Sequence, residues 1–315
     1  MLKQHLVPDY PIFPILKKLE RKMPFCSRSW NEELIHKYLL QLDENRIIEC
    51  MTIEHYFASE LKDITFEISN MYSCPIGCTF CASGSLPQTI KHLSKEDYLG
   101  QIFTCILDRR YDIDSIKNVY VSFAGVGDPS LVYKDVSEGM YLIDKIIPNV
   151  RYNIATTGIM LDCFEYWNTY NHSIRTLQLP CFAITNDLKK ILFRNIHSDY
   201  DLEKVVNYAL IYKKCHPSCH VKMNYIVIQG LNDSDEYIST LIDAFSNYKE
   251  NISIKVSYLN ETIQSKKLGF KSPSPQRMVE IINRLSSVGF DCYVFGTIQN
   301  TNLGCGQLIQ QIHLK

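Results

Sequence analysis

Three cysteines lie close together in the first third of the chain, in an arrangement suited to an iron-sulfur cluster. Cys74, Cys78 and Cys81 form a C-x3-C-x2-C run, and spacings of this kind let one loop wrap a 4Fe-4S cluster. Gly77 lies between the first two cysteines, where a residue without a Cβ atom allows a tight turn. Three thiolates would leave one iron of the cluster open for a second ligand.

Two other interpretations of these cysteines stay open, namely buried structural thiols or part of a zinc site. Zinc sites usually combine a C-x2-C pair with a second pair of ligands. The other close group is the segment 215–220, which holds two cysteines and two histidines. Four ligands so near one another in sequence would strain a tetrahedral shell. We therefore favour the cluster and expect no metal at 215–220.

The elements that must position these cysteines follow from the hydrophobic pattern. Strand-like runs alternate with segments of helical period from about residue 64 to about residue 298, which is typical of βα units around a parallel sheet. The cysteine run follows the first strand of the series, where α/β barrels build their sites. Strands are predicted at 63–69, 118–123, 151–156, 174–183, 219–228, 252–259 and 291–297, and helices at 95–109, 134–147, 160–169, 201–213, 235–247 and 276–288.

The fold class that follows is α/β, and specifically a partial (β/α)6 TIM-like barrel in residues 61–315. Residues 1–60 are predicted to form a small N-terminal extension. It would contain a short helix around residues 15–22 and a hairpin at residues 38–52, turning at Asp43-Glu44-Asn45.

Composition limits the classes of function. The formal net charge is -1 and the pI is about 6.7, so the field of the whole chain does not attract nucleic acid strongly. No apolar run is long enough for a membrane span, and the first residues lack the apolar stretch of a secretory signal. The 12 cysteines are therefore expected to be mostly reduced thiols in a cytoplasmic protein.

The cysteine loop and several later segments resemble one known family. The run from Ser73 to Gly84 resembles the cluster loop of the RlmN/Cfr radical S-adenosylmethionine (SAM) methyltransferases, which modify an adenine ring carbon in RNA. The resemblance covers roughly residues 35 to 310 and continues in the segments 93–96, 100–101, 123–129, 156–158, 230–233 and 305–308.

This resemblance implies how the second ligand is held. SAM would bind the open iron, with its amino group received by the loop that contains Gly125, Gly127 and Asp128. The family usually has glutamate where this chain has Asp128, and a plain turn is the alternative interpretation of the loop. Thr156 and Thr157 would bond the SAM ribose or carboxylate, or else cap a helix. Asn224 would face the cofactor, or else be a satisfied polar core residue.

The resemblance also assigns a role to Cys305. In the family, this cysteine accepts a methyl group from one SAM, and a radical from a second SAM then activates that methyl group for addition to adenine. Gly304 and Gly306 would let the loop reach the cluster, and a thiolate is a suitable nucleophile. A second cysteine, which releases the covalent adduct, normally lies seven residues before the first cluster ligand. Glu67 occupies that position here.

The release step therefore needs another group. Cys50 and Cys26 are candidate thiols in the N-terminal extension, although each is expected to be structural, because free cysteine is mostly buried. An external thiol, or Glu67 acting as a base, would otherwise have to take over this step.

Substrate and partners are less constrained. Family members carry a helical N-terminal domain that grips RNA, whereas about 35 residues precede the matched region here. We therefore expect a nucleotide-like or peptide substrate, without extended rRNA binding. The local basic stripes around residues 17–22 and 266–271 are typical of solvated faces. The resemblance implies an external electron donor of the flavodoxin or ferredoxin type.

Three functions are thus in competition. The first is a radical SAM methyltransferase with Cys305 as methyl carrier, acting on an adenine-like or other sp2 carbon. The second is a radical SAM enzyme that abstracts hydrogen from a small molecule or peptide without methyl transfer, with Glu67 and Cys305 in its substrate site. The third is a metal-stabilised binding protein with no catalysis. We favour the first because the C-G-Q-L segment that begins at Cys305 is retained.

Overall fold

One sheet of ten strands runs through the chain, with the strands in sequence order. The computed structural model describes residues 10–24, 32–86, 92–196, 199–296 and 302–313. The first four strands are antiparallel, and the fourth to the tenth are parallel. The strands are β1 (Ile15–Pro24), β2 (Glu32–Asp43), β3 (Arg46–Phe57), β4 (Glu60–Ile68), β5 (Asn118–Phe123), β6 (Arg151–Ala155), β7 (Ile174–Pro180), β8 (His220–Val227), β9 (Ile252–Tyr258) and β10 (Asp291–Phe295).

Nine helices occur in the described part of the chain, and most of them connect the parallel strands. They are α1 (Lys95–Arg109), α2 (Tyr133–Asp144), α3 (Asp162–Tyr170), α4 (Asn186–Leu192), α5 (Leu202–Cys215), α6 (Asp235–Phe245), α7 (Ile263–Lys267), α8 (Pro275–Ser287) and α9 (Gln307–His313). The α/β class is confirmed, with the sequential strand order of a partial barrel. No helix among the described residues is long and apolar enough to cross a membrane.

The N-terminal extension differs from the prediction in one element. The helix expected around residues 15–22 is wrong, because this segment is strand β1, which pairs along β2 from Ile15 to Pro24. Its side chains are largely exposed, so the backbone ladder to β2 decides its conformation over any local helical preference. The hairpin is confirmed, since β2 and β3 pair as far as Asp43 and Arg46. The expected boundary between residues 60 and 61 falls one residue into β4.

The two faces of the parallel sheet differ in character. Phe66, Val121 and Ile154 represent a buried apolar face that packs in the core with the helices. Parallel strands usually have nearly continuous apolar sequences because both of their faces are covered. In this sheet, polar and apolar residues alternate along the parallel strands. By alternation and register, the second face, called the polar face below, carries Glu67, Ser122, Arg151, Asn153, Thr176, Gln178, Lys222, Asn224, Lys255, Ser257, Tyr293 and Phe295.

Candidate active site

The cysteine loop follows β4 and is anchored from several directions. Asn70 and Met71 donate their backbone N–H groups to the carbonyl of Val126, at 2.7 and 3.0 Å. Thr79 donates to the carbonyl of Leu192 at 2.9 Å, and the Thr262 hydroxyl donates to the carbonyl of Phe80 at 2.7 Å. The loop is thus held by residues that come after β5, from α4 and from the N-terminus of α7.

Two glycines let this loop fold around its cysteines. Gly77 has a φ of +69°, a conformation that favours glycine. A Cβ atom on Gly84 would lie 2.4 Å from the carbonyl oxygen of Cys78. The close turn inferred from Gly77 is therefore present, and Gly84 is a second position where no side chain fits.

The three loop thiols suit a cluster better than a single ion. Cys74, Cys78 and Cys81 are all partly buried. Burial, together with the neighbouring thiols and Asp128, raises the pKa of Cys74 and Cys78, so a bound cation would be needed to hold them as thiolates. Among the described residues, no group of three His, Cys, Asp or Glu side chains converges on one metal ion. A cluster has no such requirement, because its thiolates bind different irons.

The segment 215–220 has a structural role. The His216 ring stacks on Tyr212 at a centroid distance of 4.3 Å, and its Nε2 atom lies 2.9 Å from the side-chain oxygen of Asn168. Cys215 is exposed, whereas Cys219 is buried. His216 is thus engaged with Tyr212 and Asn168.

Asp128, Thr156 and Thr157 come together in one hydrogen-bonded group. The Asp128 carboxylate is only 4% exposed. Its Oδ1 atom accepts from the Thr156 hydroxyl at 2.5 Å and from the backbone N–H of Ser130 at 2.9 Å, and its Oδ2 atom accepts from the Thr157 N–H at 2.7 Å. The Thr157 hydroxyl is buried without a partner in the described residues. An unpaired buried hydroxyl calls for a ligand, which here fits a polar group of SAM.

The glycines of the neighbouring loop are required by packing. A Cβ atom on Gly125 would lie 2.6 Å from the carbonyl oxygen of Ile68, and one on Gly127 would lie 2.7 Å from the Met71 side chain. The sequence interpretation expected these glycines to admit a ligand, whereas the atoms that approach them belong to β4 and to the cysteine loop. The glycines therefore bring Asp128 close to the cluster loop.

Asn224 lies apart from the Asp128 group. Its side-chain oxygen accepts a hydrogen bond from the Ser257 hydroxyl at 2.9 Å, and its register partner on β9 is Lys255. Asn224 is thus part of the polar face and already has a side-chain partner.

Cys305 lies directly against the cysteine loop. Its Sγ atom is 2.7 Å from the Ser83 hydroxyl oxygen, and its carbonyl oxygen is 4.0 Å from the Cys81 Sγ atom. A hydrogen bond between the two thiols lowers the pKa of Cys81 against the opposing effect of burial, whereas the same bond and burial together raise the pKa of Cys305. Gly306 has a φ of +80°, and a Cβ atom there would lie 2.4 Å from the Ser83 nitrogen. The chain therefore brings together two segments more than 200 residues apart in sequence.

A buried ion pair holds the Cys305 segment, and sequence reasoning missed it. Lys37 on β2 and Glu49 on β3 are each 3% exposed at the side chain and lie 2.9 Å apart. Lys37 donates to the carbonyl of Gly304 at 2.6 Å. Glu49 accepts from the backbone N–H groups of Gly306 at 2.8 Å and of Ile309 at 2.8 Å. We call this pair the clamp.

Asn260 is a second residue that the sequence interpretation missed. It follows β9, and its side-chain amide donates to the Gln307 side-chain oxygen at 3.1 Å, which also accepts from the Gly304 N–H at 2.7 Å. The Gln307 amide donates to the carbonyl of Glu261 at 2.9 Å. The Cys305 loop is thereby tied to the end of β9 as well as to the clamp.

Glu67 and Cys305 line one small cavity. The cavity is bounded by Lys37, Glu49, Cys50, Met51, Glu67, Gly125 and Cys305. Burial raises the pKa of Glu67 to about 7, an effect that Lys37 and Lys255 partly offset. The structure thus places the two residues of the expected catalytic pair together.

Cys50 is poorly placed to act on Cys305. Its Sγ atom lies 3.5 Å from the Sγ atom of Cys105 in α1, on the helix-covered side of the sheet. Cys26, the second candidate thiol, lies outside the described residues.

The whole architecture matches a solved structure of known class. A radical SAM methyltransferase from Sphaerobacter thermophilus superposes with a TM-score of 0.74 at 17% sequence identity, over 94% of this chain and 81% of that one. This chain therefore shares the fold of that protein, with its three-cysteine loop at the end of the first parallel strand. Proteins of this class use a 4Fe-4S cluster and SAM.

Sequence relatives give a narrower assignment. No family model matches the chain. A probable dual-specificity RNA methyltransferase RlmN from Petrotoga mobilis is 28% identical over 277 residues, which is 86% of this chain and 74% of that protein. Another, from Thermotoga neapolitana, is 25% identical and covers 97% of this chain and 83% of its own length. The chain is therefore similar in sequence, over most of its length, to proteins named as probable RlmN RNA methyltransferases.

Proposed function

We propose that this chain is a radical SAM methyltransferase that uses Cys305 as its methyl carrier and acts on an adenine-like or other sp2 carbon. The observation that carries the proposal is the placement of the Cys305 thiol against the cysteine loop, 2.7 Å from the Ser83 hydroxyl. A thiol with only a structural role would not need the clamp, Asn260 and two restricted glycines to hold its loop there.

The residues of the site form three groups, which hold the cluster, hold SAM, and move protons or carry the methyl group. Cys74, Cys78 and Cys81 hold the cluster. Asp128, Thr156 and Thr157 hold SAM, with the unpaired Thr157 hydroxyl as one contact, while Gly125 and Gly127 keep Asp128 beside the cysteine loop. When bound, the cluster supplies the electron that cleaves SAM, and SAM supplies the methyl group and the radical.

Glu67 and Cys305 are the groups that move protons and carry the methyl. Cys305 must lose its proton before it can accept a methyl group. The Glu67 carboxyl, whose pKa is raised to about 7, can exchange a proton near neutral pH. Glu67 cannot form a disulfide, so release of product needs an external thiol. That thiol forms an S–S bond to Cys305 as the Cys305–carbon bond breaks, and the electron pair moves to the product, which then gains a proton.

The second candidate function is hydrogen abstraction without methyl transfer, which forms no adduct on Cys305 and so needs no external thiol to release one. Glu67 would move a proton, and the electron left on the substrate radical would return to the cluster. The presence of Glu67 where the family has a cysteine favours this second function. The Cys305 placement and the RlmN relatives favour the first.

Mass spectrometry of Cys305 distinguishes these functions. After anaerobic reconstitution with iron and sulfide, incubation with SAM should leave a methyl group on Cys305. Cys305→Ala should abolish the adduct and retain formation of 5'-deoxyadenosine. Cys292→Ala is the matched control. This partly buried thiol contacts Ser286 and the carbonyl of Ile282 in α8, and its removal should leave the adduct intact.

Two results would contradict the proposal. Formation of 5'-deoxyadenosine by the wild type, with no methyl group on Cys305, would leave hydrogen abstraction as the function. Absence of both an iron-sulfur chromophore and SAM cleavage would exclude either radical function and leave a metal-stabilised binding protein.

The proposed partners follow from this chemistry. An external donor of the flavodoxin or ferredoxin type would reduce the cluster, and a reducing cytoplasm would keep the thiols available. The RlmN relatives are named as RNA methyltransferases, which favours a nucleotide-like substrate over a peptide.

A further inference from the structure

Three neighbouring cations at the polar face have no carboxylate partner among the described residues. They are Arg175 on β7, Lys222 on β8 and Lys255 on β9, on three adjacent strands. Arg175 joins this face because it lies at the irregularity of β7 where the register with β6 shifts, which interrupts the alternation of side chains. Each is partly buried. None of them forms an ion pair or a hydrogen bond with any residue that the structure describes, although buried cations are normally paired.

Aromatic rings take the place of carboxylates around these cations. The Arg175 guanidinium lies 4.9 Å from the centroid of Tyr120. The ammonium of Lys222 is 5.7 Å from the ring of Tyr293, and that of Lys255 is 4.5 Å from the ring of Phe295. Ring faces attract a cation but use up few of its N–H donors, so these donors stay available to a ligand.

The nearest carboxylates act only at a distance. Asp291 favours the charged form of Lys222, and Glu67 favours that of Lys255. Neither lies within ion-pair distance of these lysines in the described residues. Asp63, on the same face, already accepts from the Asn118 side chain at 2.6 Å. Burial and mutual repulsion lower the pKa of Lys222, and they lower that of Lys255 to about 8.

Polar atoms on the same face also lack partners. The Thr176 hydroxyl, on β7 next to Arg175, and the Asn153 side-chain oxygen, on β6, are buried without a hydrogen bond among the described residues. Thr176 and Asn153 are register partners. Unsatisfied polar atoms beside unneutralised cations indicate a place for an anionic, hydrogen-bonding ligand.

The face is open at one side. β10 is the last strand of the sheet, and its residues Tyr293 and Phe295 are 37% and 50% exposed. At the other side, Lys255 is close enough to Glu67 for their charges to interact. A ligand that enters past β10 would therefore meet the cations before it reaches the cavity of Glu67 and Cys305.

We propose that Arg175, Lys222 and Lys255 form a phosphate-binding site that orients a nucleotide substrate with its base toward Glu67 and Cys305. This site lies on β7, β8 and β9, whereas Asp128, Thr156 and Thr157, the proposed SAM contacts, follow β5 and β6. The proposal rests on the proposed function for the identity of the base. The phosphate could belong to a mononucleotide or to an RNA strand.

Calorimetric binding to the reconstituted full chain tests the site. AMP should bind at least tenfold more tightly than adenosine, because only AMP offers a phosphate to the cations. Lys222→Met and Lys255→Met should each weaken AMP binding about tenfold and leave adenosine binding unchanged. Lys204→Met, which removes an exposed lysine of α5, is the matched control and should bind AMP like the wild type.

A second set of titrations identifies the source of the phosphate. A single-stranded adenine-containing RNA octamer that binds more tightly than AMP, with the same loss in Lys222→Met, would assign the site to RNA. Arg175→Gln provides an independent variant if a lysine variant unfolds. Equal affinities for AMP and adenosine, undiminished AMP binding by the three variants, or no binding of AMP and octamer to the wild type would overturn the site.

The methyl group on Cys305, measured in the same wild-type preparation, separates the two proposals. A chain that shows the expected AMP preference but never acquires the methyl group would retain the phosphate site and lose the methyl-carrier function. The opposite result would retain the methyl carrier and remove the phosphate site.

Discussion

At the scale of single residues, Glu67 is the substitution that most changes the chemistry of the site. A carboxyl stands where the resemblance to the RlmN/Cfr family implies a thiol, and it lines the same cavity as Cys305. Lys37 and Lys255 favour its charged form, but burial outweighs them and raises its pKa to about 7. The exchange replaces a group that forms disulfides with one that exchanges protons near neutral pH.

Glu67→Gln should change how stability depends on pH. The pKa of Glu67 is raised on folding, so the folded chain binds its proton more tightly than the unfolded chain does. This contribution is complete below the unfolded value of 4.5 and is lost as pH rises through about 7, with a total of up to about 3 kcal/mol. Denaturant unfolding of both proteins between these pH values should show the wild type losing stability relative to Glu67→Gln. Parallel pH profiles would contradict the raised pKa.

Cys50→Ala should leave the release of product unchanged. The Cys50 thiol contacts Cys105 in α1 rather than the Cys305 thiol, so it cannot replace the missing cysteine without a rearrangement of β3. The rate of product release in single-turnover reactions measures the effect, with Cys105→Ala as the paired control for repacking of this contact. A Cys50→Ala chain that accumulates a Cys305-linked adduct, while Cys105→Ala does not, would identify Cys50 as the resolving thiol.

Residue types and spacing could locate the part of the site that is local in sequence. Cys74, Cys78 and Cys81 share one loop, and Asp128, Thr156 and Thr157 each follow a predicted strand, so parallel packing brings them to one edge. The clamp could not be located in this way. Lys37 and Glu49 show no motif, and their role depends on backbone groups more than 250 residues away.

At the scale of elements, the clamp is the link between the N-terminal hairpin and α9. Glu49 accepts from the first backbone N–H groups of this short helix, groups that have no partner within the helix. Lys37 neutralises Glu49 and bonds the carbonyl groups that precede Cys305. The position of Cys305 is therefore set by β2 and β3.

Lys37→Met should release the Cys305 segment. Removing one member of a buried ion pair leaves an unpaired charge and costs about 3–5 kcal/mol, so the amides of residues 304–309 should exchange faster and Cys305 should react faster with iodoacetamide. Lys62→Met is the matched control. It breaks an exposed pair with Glu60, which solvent screens so that it contributes little to stability. Equal alkylation rates in both variants would show that the clamp does not hold Cys305.

The elements that sequence reasoning missed share a physical cause. The parallel strands and the six longer helices show a strong hydrophobic periodicity in the sequence. Their existence was predicted correctly for this reason. β1 has few buried side chains, and α4, α7 and α9 have five to seven residues, too few to show a period. Their conformations depend on partners from elsewhere in the chain, namely β2 for β1 and Glu49 for α9.

At the scale of the whole molecule, the N-terminal extension and the parallel sheet should unfold together. β3, the last strand of the extension, pairs with β4, the first strand of the parallel part of the sheet. Phe13 donates its N–H to the Thr104 hydroxyl of α1 at 3.0 Å, and Tyr38 donates to Asp108 of α1 at 2.9 Å. The extension thus covers α1 and β4 and also holds Cys305, so removing it would expose a core surface at both ends of the chain.

Hydrogen exchange with increasing denaturant should therefore show one transition. Peptides from residues 38–57 and from residues 118–155 should lose protection at the same denaturant concentration, as in a cooperative unit. A chain that starts at residue 60 should be insoluble, because the apolar surface that Tyr38, Leu40 and Ile48 bury would face water. If residues 38–57 opened first while Cys305 stayed resistant to alkylation, the extension would be an independent unit and the clamp would not couple the two halves. A single transition would instead show that the segment holding Cys305 is as stable as the sheet itself.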